Sequence, residues 1–180
     1  MAADPRVLYV VACGGYPAAE LPVFVEATRA SGWDVCVVAT PAALGFLDVE
    51  RLAALTGHPV RSRYKRPGEP DALPPADAFV VAPATFNTIN KIAAGISDTL
   101  ALGLLNEALG GGRPIVMAPY PNSALAGHPA YAASLEALRG WGVRLVSGRP
   151  GDPRGGADQP GRENTVFPWA ELTDALNDLR

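Results

Sequence analysis

The sequence predicts a three-layer α/β fold, a doubly wound parallel sheet in a single domain spanning residues 1–180. Five short apolar runs carry that expectation, each rich in β-branched residues and bounded by turn signals. They stand at 7–12 (VLYVVA), 35–39 (VCVVA), 79–82 (FVVA), 114–118 (PIVMA) and 143–146 (VRLV). The runs are continuous rather than alternating, which suits strands buried on both faces. Segments of helical spacing lie between them, as right-handed βαβ crossovers require.

The elements follow in order. The first strand ends at Cys13-Gly14-Gly15-Tyr16-Pro17, and a helix with the stripe Leu21, Phe24, Val25 and Thr28 comes next. Paired glycines admit close approach of a phosphate to the backbone, and a helix start offers free N–H groups. Turn geometry alone would also explain such a pair. The second strand ends at Thr40-Pro41, a hydroxyl in N-cap position with proline at the first helical site. That pattern reads either as a plain cap or as a contact to a ligand phosphate. The third strand opens onto Pro83-Ala84-Thr85-Phe86-Asn87-Thr88, ahead of a helix with Ile89, Ile92 and Ala93 on its stripe. Two hydroxyls and an amide crowd this helix start with little bulk, which suits a flat polar ring or a phosphate. Leu100, Leu104, Leu105 and Ala108 mark a further helix, Leu135 and Leu138 another before Trp141, and 169–179 closes the chain as a helix. Ligands of open parallel sheets sit outside the carboxyl ends of the strands, so these strand ends define the candidate site.

Two polar stretches rich in glycine and proline interrupt the alternation, 61–75 (RSRYKRPGEPDALPP) and 147–165 (SGRPGDPRGGADQPGRENT). Loops of that length in a compact domain are functional or disordered, and the second could fold over a ligand as a lid. They hold much of the unusual content of 19 glycines and 18 prolines.

Composition excludes several classes. Fifteen Lys and Arg against 18 Asp and Glu give a net charge of −3, without the basic face that nucleic acid would need. Forty-eight per cent apolar and 18% charged residues exclude a wholly disordered chain. Cys13 and Cys36 are too few for a disulfide framework and match no metal-ligand spacing. The first apolar run is too short to span a membrane and lacks the charge order of a signal peptide, so a cytoplasmic protein is expected.

One run is more specific. Ala82-Pro83-Ala84-Thr85-Phe86-Asn87-Thr88-Ile89-Asn90-Lys91-Ile92-Ala93-Ala94-Gly95-Ile96-Ser97-Asp98 resembles the P-A-S-A-N-T motif of the homo-oligomeric flavin-containing cysteine decarboxylases. Fuller versions there read A-P-A-T-A-N-T-I-x-K-I-A-x-G-I-x-D-N, with Phe86 here at the usual Ala and Thr99 at the usual Asn. The stretch 12–19 (ACGGYPAA) is similar to the family's T-G-G-I-A-A phosphate loop, and 39–46 (ATPAALGF) to its T-x-x-A-x-x-F segment. Pro119-Tyr120-Pro121-Asn122-Ser123-Ala124-Leu125-Ala126 resembles P-x-M-N-x-x-M-W, and His128-Pro129 follows as His-Pro or Asn-Pro often does there.

The resemblance implies a flavodoxin-like, Rossmann-like sheet that binds FMN, assembled as a homotrimer or a set of trimers. It implies a flavin-dependent oxidoreductase or decarboxylase acting on a small or peptidyl, carboxylate-bearing substrate, cysteine-derived in the family. Carried over by position, Gly14, Gly15, Tyr16, Thr40, Phe46, Ala84, Thr85, Asn87 and Thr88 would contact FMN. Asn122 would hold the substrate carboxylate, and His128 is the candidate for acid–base work beside it. The departures matter too. The family's active-site histidine precedes the P-A-S-A-N-T strand, whereas Glu69-Pro70-Asp71-Ala72-Leu73 stands before Ala76-Asp77 here and His58 lies further upstream. Glu69 and Asp71 are alternative acids or bases, and Cys13 reads as a small residue of the turn rather than a nucleophile. A non-catalytic FMN-binding oligomeric subunit is therefore the alternative function. A prenylating flavin transferase is disfavoured, because Asn106-Glu107-Ala108-Leu109-Gly110 carries no basic cluster.

Overall fold

Every predicted strand forms, and all five join one parallel sheet in the order β2-β1-β3-β4-β5. The computed structural model describes residues 5–147 and 167–179. The strands are β1 (Val7–Ala12), β2 (Asp34–Ala39), β3 (Ala78–Ala84), β4 (Ile115–Pro119) and β5 (Arg144–Leu145). β1 is paired on both sides, Val10 with Val37 of β2 and with Val80 of β3, and its residues 8–12 are buried. That double burial is what the unbroken apolar runs reflect.

Successive side chains point to opposite faces of a strand, so each strand serves two cores. Leu8, Val10 and Ala12 pack with Leu21, Phe24 and Val25 of α1 (Leu21–Ala30), Leu52 of α2 (Val49–Thr56) and Leu172 and Leu176 of α7 (Trp169–Asn177). Tyr9, Val11 and Cys13 face the other layer. There they meet Ile89 and Ile92 of α3 (Phe86–Ala93), Leu105 of α4 (Leu100–Gly110) and Leu138 of α6 (Pro129–Gly140). Buried residues of α1 are Leu21, Pro22, Phe24, Val25 and Thr28, which contains the whole predicted stripe.

α2 and β3 differ from expectation. α2 was not predicted, because its buried face is just Leu52 and Thr56. Local capping defines it instead: Asp48 accepts from the Arg51 N–H at 3.0 Å, and Gly57 closes it at φ +75°, a conformation that favours glycine. β3 runs two residues beyond the predicted end, through Pro83, and its register against β4 shifts between Val81 and Ala84. Proline cannot donate to a ladder, so it sits where pairing is irregular. The 61–75 segment starts on the sheet, with Arg61 bridged in parallel to Val38. Of the other long stretch, residues 148–165 lie outside the described residues. No described helix is long and apolar enough to cross a membrane.

Candidate functional site

The strands run parallel, so their carboxyl ends meet at one edge of the sheet, and five helix or 3₁₀ starts gather there. Gly15 precedes the 3₁₀ turn Tyr16–Glu20, Thr40 precedes the 3₁₀ turn Pro41–Gly45, and Thr85 and Thr99 cap α3 and α4. Asn122 caps the short α5 (Ser123–Ala126) after β4. Each start leaves backbone N–H groups without intrahelical partners.

Two compartments open among these starts. The smaller, about 400 Å³, is lined by Gly14, Thr40, Pro41, Ala42, Thr85, Asn87, Thr88, Thr99 and Leu102. The larger, about 620 Å³, has Tyr16, Phe46, Phe86 and Tyr120 as its aromatic wall, with Asn122 and Leu125 beside them. Gly14, Thr85 and Asn87 line both, so the two are parts of one depression. Neither wall carries a charged side chain among the described residues.

The smaller compartment has a lining that suits negative charge. Three threonine-capped starts converge on it, and their free N–H groups and positive dipole ends favour negative charge without lysine or arginine. Thr40 is 9% exposed and its side chain makes no capping bond, so its hydroxyl remains for a ligand. Beneath the site the Cys13 thiol donates to Thr88 Oγ1 at 3.3 Å, and Thr88 Oγ1 lies 3.1 Å from Thr85 Oγ1. Thr85 Oγ1 also accepts from the Thr88 N–H at 3.4 Å. With Thr88 donating on to Thr85, the Thr85 proton stays available to an acceptor in the cavity. Cys13 is fully buried, and burial pushes its thiol pKa up, so it is no nucleophile.

The glycines explain how backbone reaches the cavity. A Cβ on Gly14 would lie 3.1 Å from both Cβ and O of Ala42, and one on Gly15 would lie 3.3 Å from Pro83. Both turns are therefore in close contact with neighbouring backbone or ring, and a side chain would push them apart. In the larger compartment the Tyr16 and Phe46 rings meet edge to face at 5.8 Å, both partly exposed. Asn122 Oδ1 accepts from the Leu125 N–H at 2.9 Å, which leaves its amide NH₂ as the donor end.

The Flavoprotein family model matches residues 3–166. The chain belongs to the Flavoprotein family. Over 188 aligned residues it is 30% identical to the coenzyme A biosynthesis bifunctional protein CoaBC of Mycolicibacterium smegmatis, covering 99% of this chain and 42% of that protein. The CoaBC of Escherichia coli is likewise 30% identical over 177 residues, 93% of this chain and 43% of the relative. The chain thus spans less than half the length of these curated relatives. Among solved structures, the FMN-dependent cysteine decarboxylase SpaF superposes with a TM-score of 0.74 at 26% identity, covering 99% of each chain.

Within this Flavoprotein fold, the residues singled out from sequence are placed as follows. Gly14, Gly15, Tyr16, Phe46, Thr85, Asn87 and Asn122 line the larger compartment, and Thr40 and Thr88 the smaller. Ala84 is buried in β3, where its carbonyl accepts from the Tyr120 N–H at 2.8 Å, and lines neither compartment. His128 is also off the wall. It caps α6 by accepting from the Ala130 N–H at Nδ1, and its ring stands edge-on to Phe86 at 5.6 Å. His58 pairs with Asp34 at 2.8 Å, at the opening residue of β2 and thus the opposite end of the sheet. Glu69 and Asp71 are occupied in their own loop, Glu69 by the Arg66 N–H and Asp71 by Lys65. Of the wall residues that carried no site role in the sequence reading, Tyr120 and Thr99 had a local signal that could have marked them. Tyr120 follows β4 directly, and Thr99 is a hydroxyl ahead of an apolar helix, which are the same signals that marked Thr40 and Thr85.

Proposed function

We propose that this chain binds FMN across the joined depression, the phosphate in the threonine-lined compartment and the ring system in the aromatic one. The observation that carries the reading is the convergence of three threonine-capped helix starts on a hollow continuous with an aromatic-walled cavity. Thr40, Thr85 and the backbone of Gly14 and Gly15 would hold the phosphate and its chain, with Thr88 positioning Thr85 from below and Asn87 touching both parts. Tyr16, Phe46, Phe86 and Tyr120 would flank the ring and exclude water from it. Family membership and the cofactor named for the structural neighbour support the same assignment.

The reaction this site suits is flavin-dependent decarboxylation of a small or peptidyl substrate with a cysteine-derived carboxylate. Bound FMN supplies the two-electron oxidation of a thiol, which permits loss of the neighbouring carboxylate. The chain's own part is to bind and orient. Asn122 offers its amide N–H to the carboxylate, and its hydrogen bond to Leu125 fixes the direction of that donor. His128 touches Phe86 and has no place on the wall. The titratable side chains on the described wall are the phenols of Tyr16 and Tyr120. We read 1–180 as one flavoprotein domain of a cytoplasmic homo-oligomer, a trimer or an assembly of trimers. Two buried free cysteines and exposed Tyr16, Phe46 and Leu125 around the cavity are consistent with that.

The test begins with the visible spectrum and cofactor mass of the purified protein, where bound FMN is expected. Anaerobic mixing with phosphopantothenoylcysteine or C-terminal-cysteine peptides should then bleach the flavin and release carbon dioxide. A protein that neither carries nor takes up FMN overturns the reading. Stable FMN without thiol oxidation assigns the non-catalytic subunit instead.

A further inference from the structure

The 61–75 segment, long for a loop, reaches the threonine-lined compartment from outside through Tyr64. After Arg61 leaves the edge of β2, Tyr64 lays its phenol against the start of α4. Its hydroxyl donates to the Thr99 carbonyl at 3.0 Å and lies 3.3 Å from the Ser97 carbonyl. Thr99 lines the anion compartment and caps α4 by accepting from the Leu102 N–H at 3.3 Å. The turn before it is braced from within the helix pair as well. Lys91 of α3 pairs with Asp98 at 2.5 Å, and Asn106 of α4 donates to the Ile96 carbonyl at 3.0 Å and to Ser97 Oγ at 2.9 Å.

Gly103 makes the Tyr64 contact possible. It is buried in the interior of α4, where glycine costs helix stability relative to alanine. A Cβ there would stand 2.1 Å from the Tyr64 hydroxyl oxygen and 3.1 Å from Cζ, so any side chain displaces the phenol. The missing side chain at Gly103 thus leaves room for the hydroxyl of a tyrosine from another segment.

We propose that Tyr64 is a positioning residue of the anion compartment: through the Thr99 carbonyl it sets the first turn of α4, and with it the Thr99 wall, against the phosphate of the bound ligand. The proposal rests on the FMN reading above. Its signature is selectivity for the phosphorylated flavin, because riboflavin has nothing to place in that compartment.

The experiment titrates flavin-stripped protein with FMN and with riboflavin by flavin fluorescence, for wild type, Tyr64→Phe and Gly103→Ala. Tyr64→Phe should weaken FMN about threefold to tenfold, the scale of one lost hydrogen bond, and leave riboflavin unchanged. Gly103→Ala should do the same, and in a Tyr64→Ala background it should add no further loss. Equal losses for both flavins, or none for FMN, would overturn the positioning role and leave the FMN assignment standing. A wild type that binds neither flavin overturns that assignment, and the proposal with it.

Discussion

The Cys13 thiol and the Thr88 hydroxyl form a buried hydrogen bond of 3.3 Å directly beneath the threonine-lined compartment. Burial pushes Cys13 up and Cys36 up to about 12, and burial likewise pushes Tyr9 to about 12, with Cys36 adding to it. Neither thiol should react with a soluble disulfide reagent while the protein is folded, and both should react once it is unfolded. Rapid labelling of either cysteine in native buffer would contradict their burial.

The same groups fix the sign of an alkaline effect. All three pKa values are raised in the folded state, so the unfolded chain gives up these protons first. Stability is therefore complete below the ordinary thiol range and declines as pH rises toward the folded values. The urea midpoint should fall between about pH 8 and about pH 10, and Cys36→Ala should flatten the fall. A midpoint that holds or rises over that interval would sink the prediction.

Asn122 has two separable duties. Asn122→Asp keeps an oxygen to accept from the Leu125 N–H but loses the amide donor and adds a negative charge. Asn122→Ala loses both, with a cap cost of about 0.5–2 kcal/mol. With a verified carboxylate substrate, KM should rise about tenfold or more in both variants, the scale of a lost hydrogen bond to a charged group. The preference for FMN over riboflavin should stay unchanged, since Asn122 lines the aromatic compartment and not the threonine-lined one. Unaltered KM in Asn122→Asp would remove the carboxylate role.

Gly14 tests the close approach of the first turn. A Cβ there meets backbone of Ala42 at 3.1–3.2 Å, so Gly14→Ala must separate the turn after β1 from the 3₁₀ turn behind Thr40. Those two turns form one wall of the anion compartment, so FMN binding should weaken about tenfold or more while the melting temperature moves by a few degrees. Gly45→Ala, in the same 3₁₀ turn with nothing within 4 Å of its Cβ, is the control and should leave affinity intact. Matching behaviour of the two variants would refute the close-approach argument.

The sheet and most of the site were legible for a physical reason. Val10, Val37 and Val80 lie in unbroken apolar runs because each strand is buried on both faces, and that pattern is visible in one dimension. Thr40 and Thr85 were legible because a hydroxyl one residue ahead of a helix start is a local signal, whereas Asn122 was reached through the resemblance of 119–126 to P-x-M-N-x-x-M-W. The Tyr64–Thr99 and Tyr120–Phe167 contacts were not, since they join residues far apart in the chain that no short-range pattern links. His128 follows Asn122 closely in sequence, yet α5 lies between them and the imidazole stands against Phe86.

Phe167 ties the carboxyl-terminal helix to the site. It is 3% exposed, with its ring 5.6 Å from Tyr120 on the cavity wall and 4.5 Å from Trp169. Trp169 in turn packs at 5.0 Å on Phe24 of α1 and donates its indole N–H to Glu20 at 2.7 Å. Phe167→Ala opens a gap among these rings and should cost about 3–5 kcal/mol in urea unfolding. Because Tyr120 loses its buttress, FMN affinity should fall as well, whereas Leu172→Ala, within α7 and against the sheet core, should lower stability without changing affinity in the folded protein. Equal effects of the two variants on FMN binding would show that Phe167 acts through global stability and not through the Tyr120 contact.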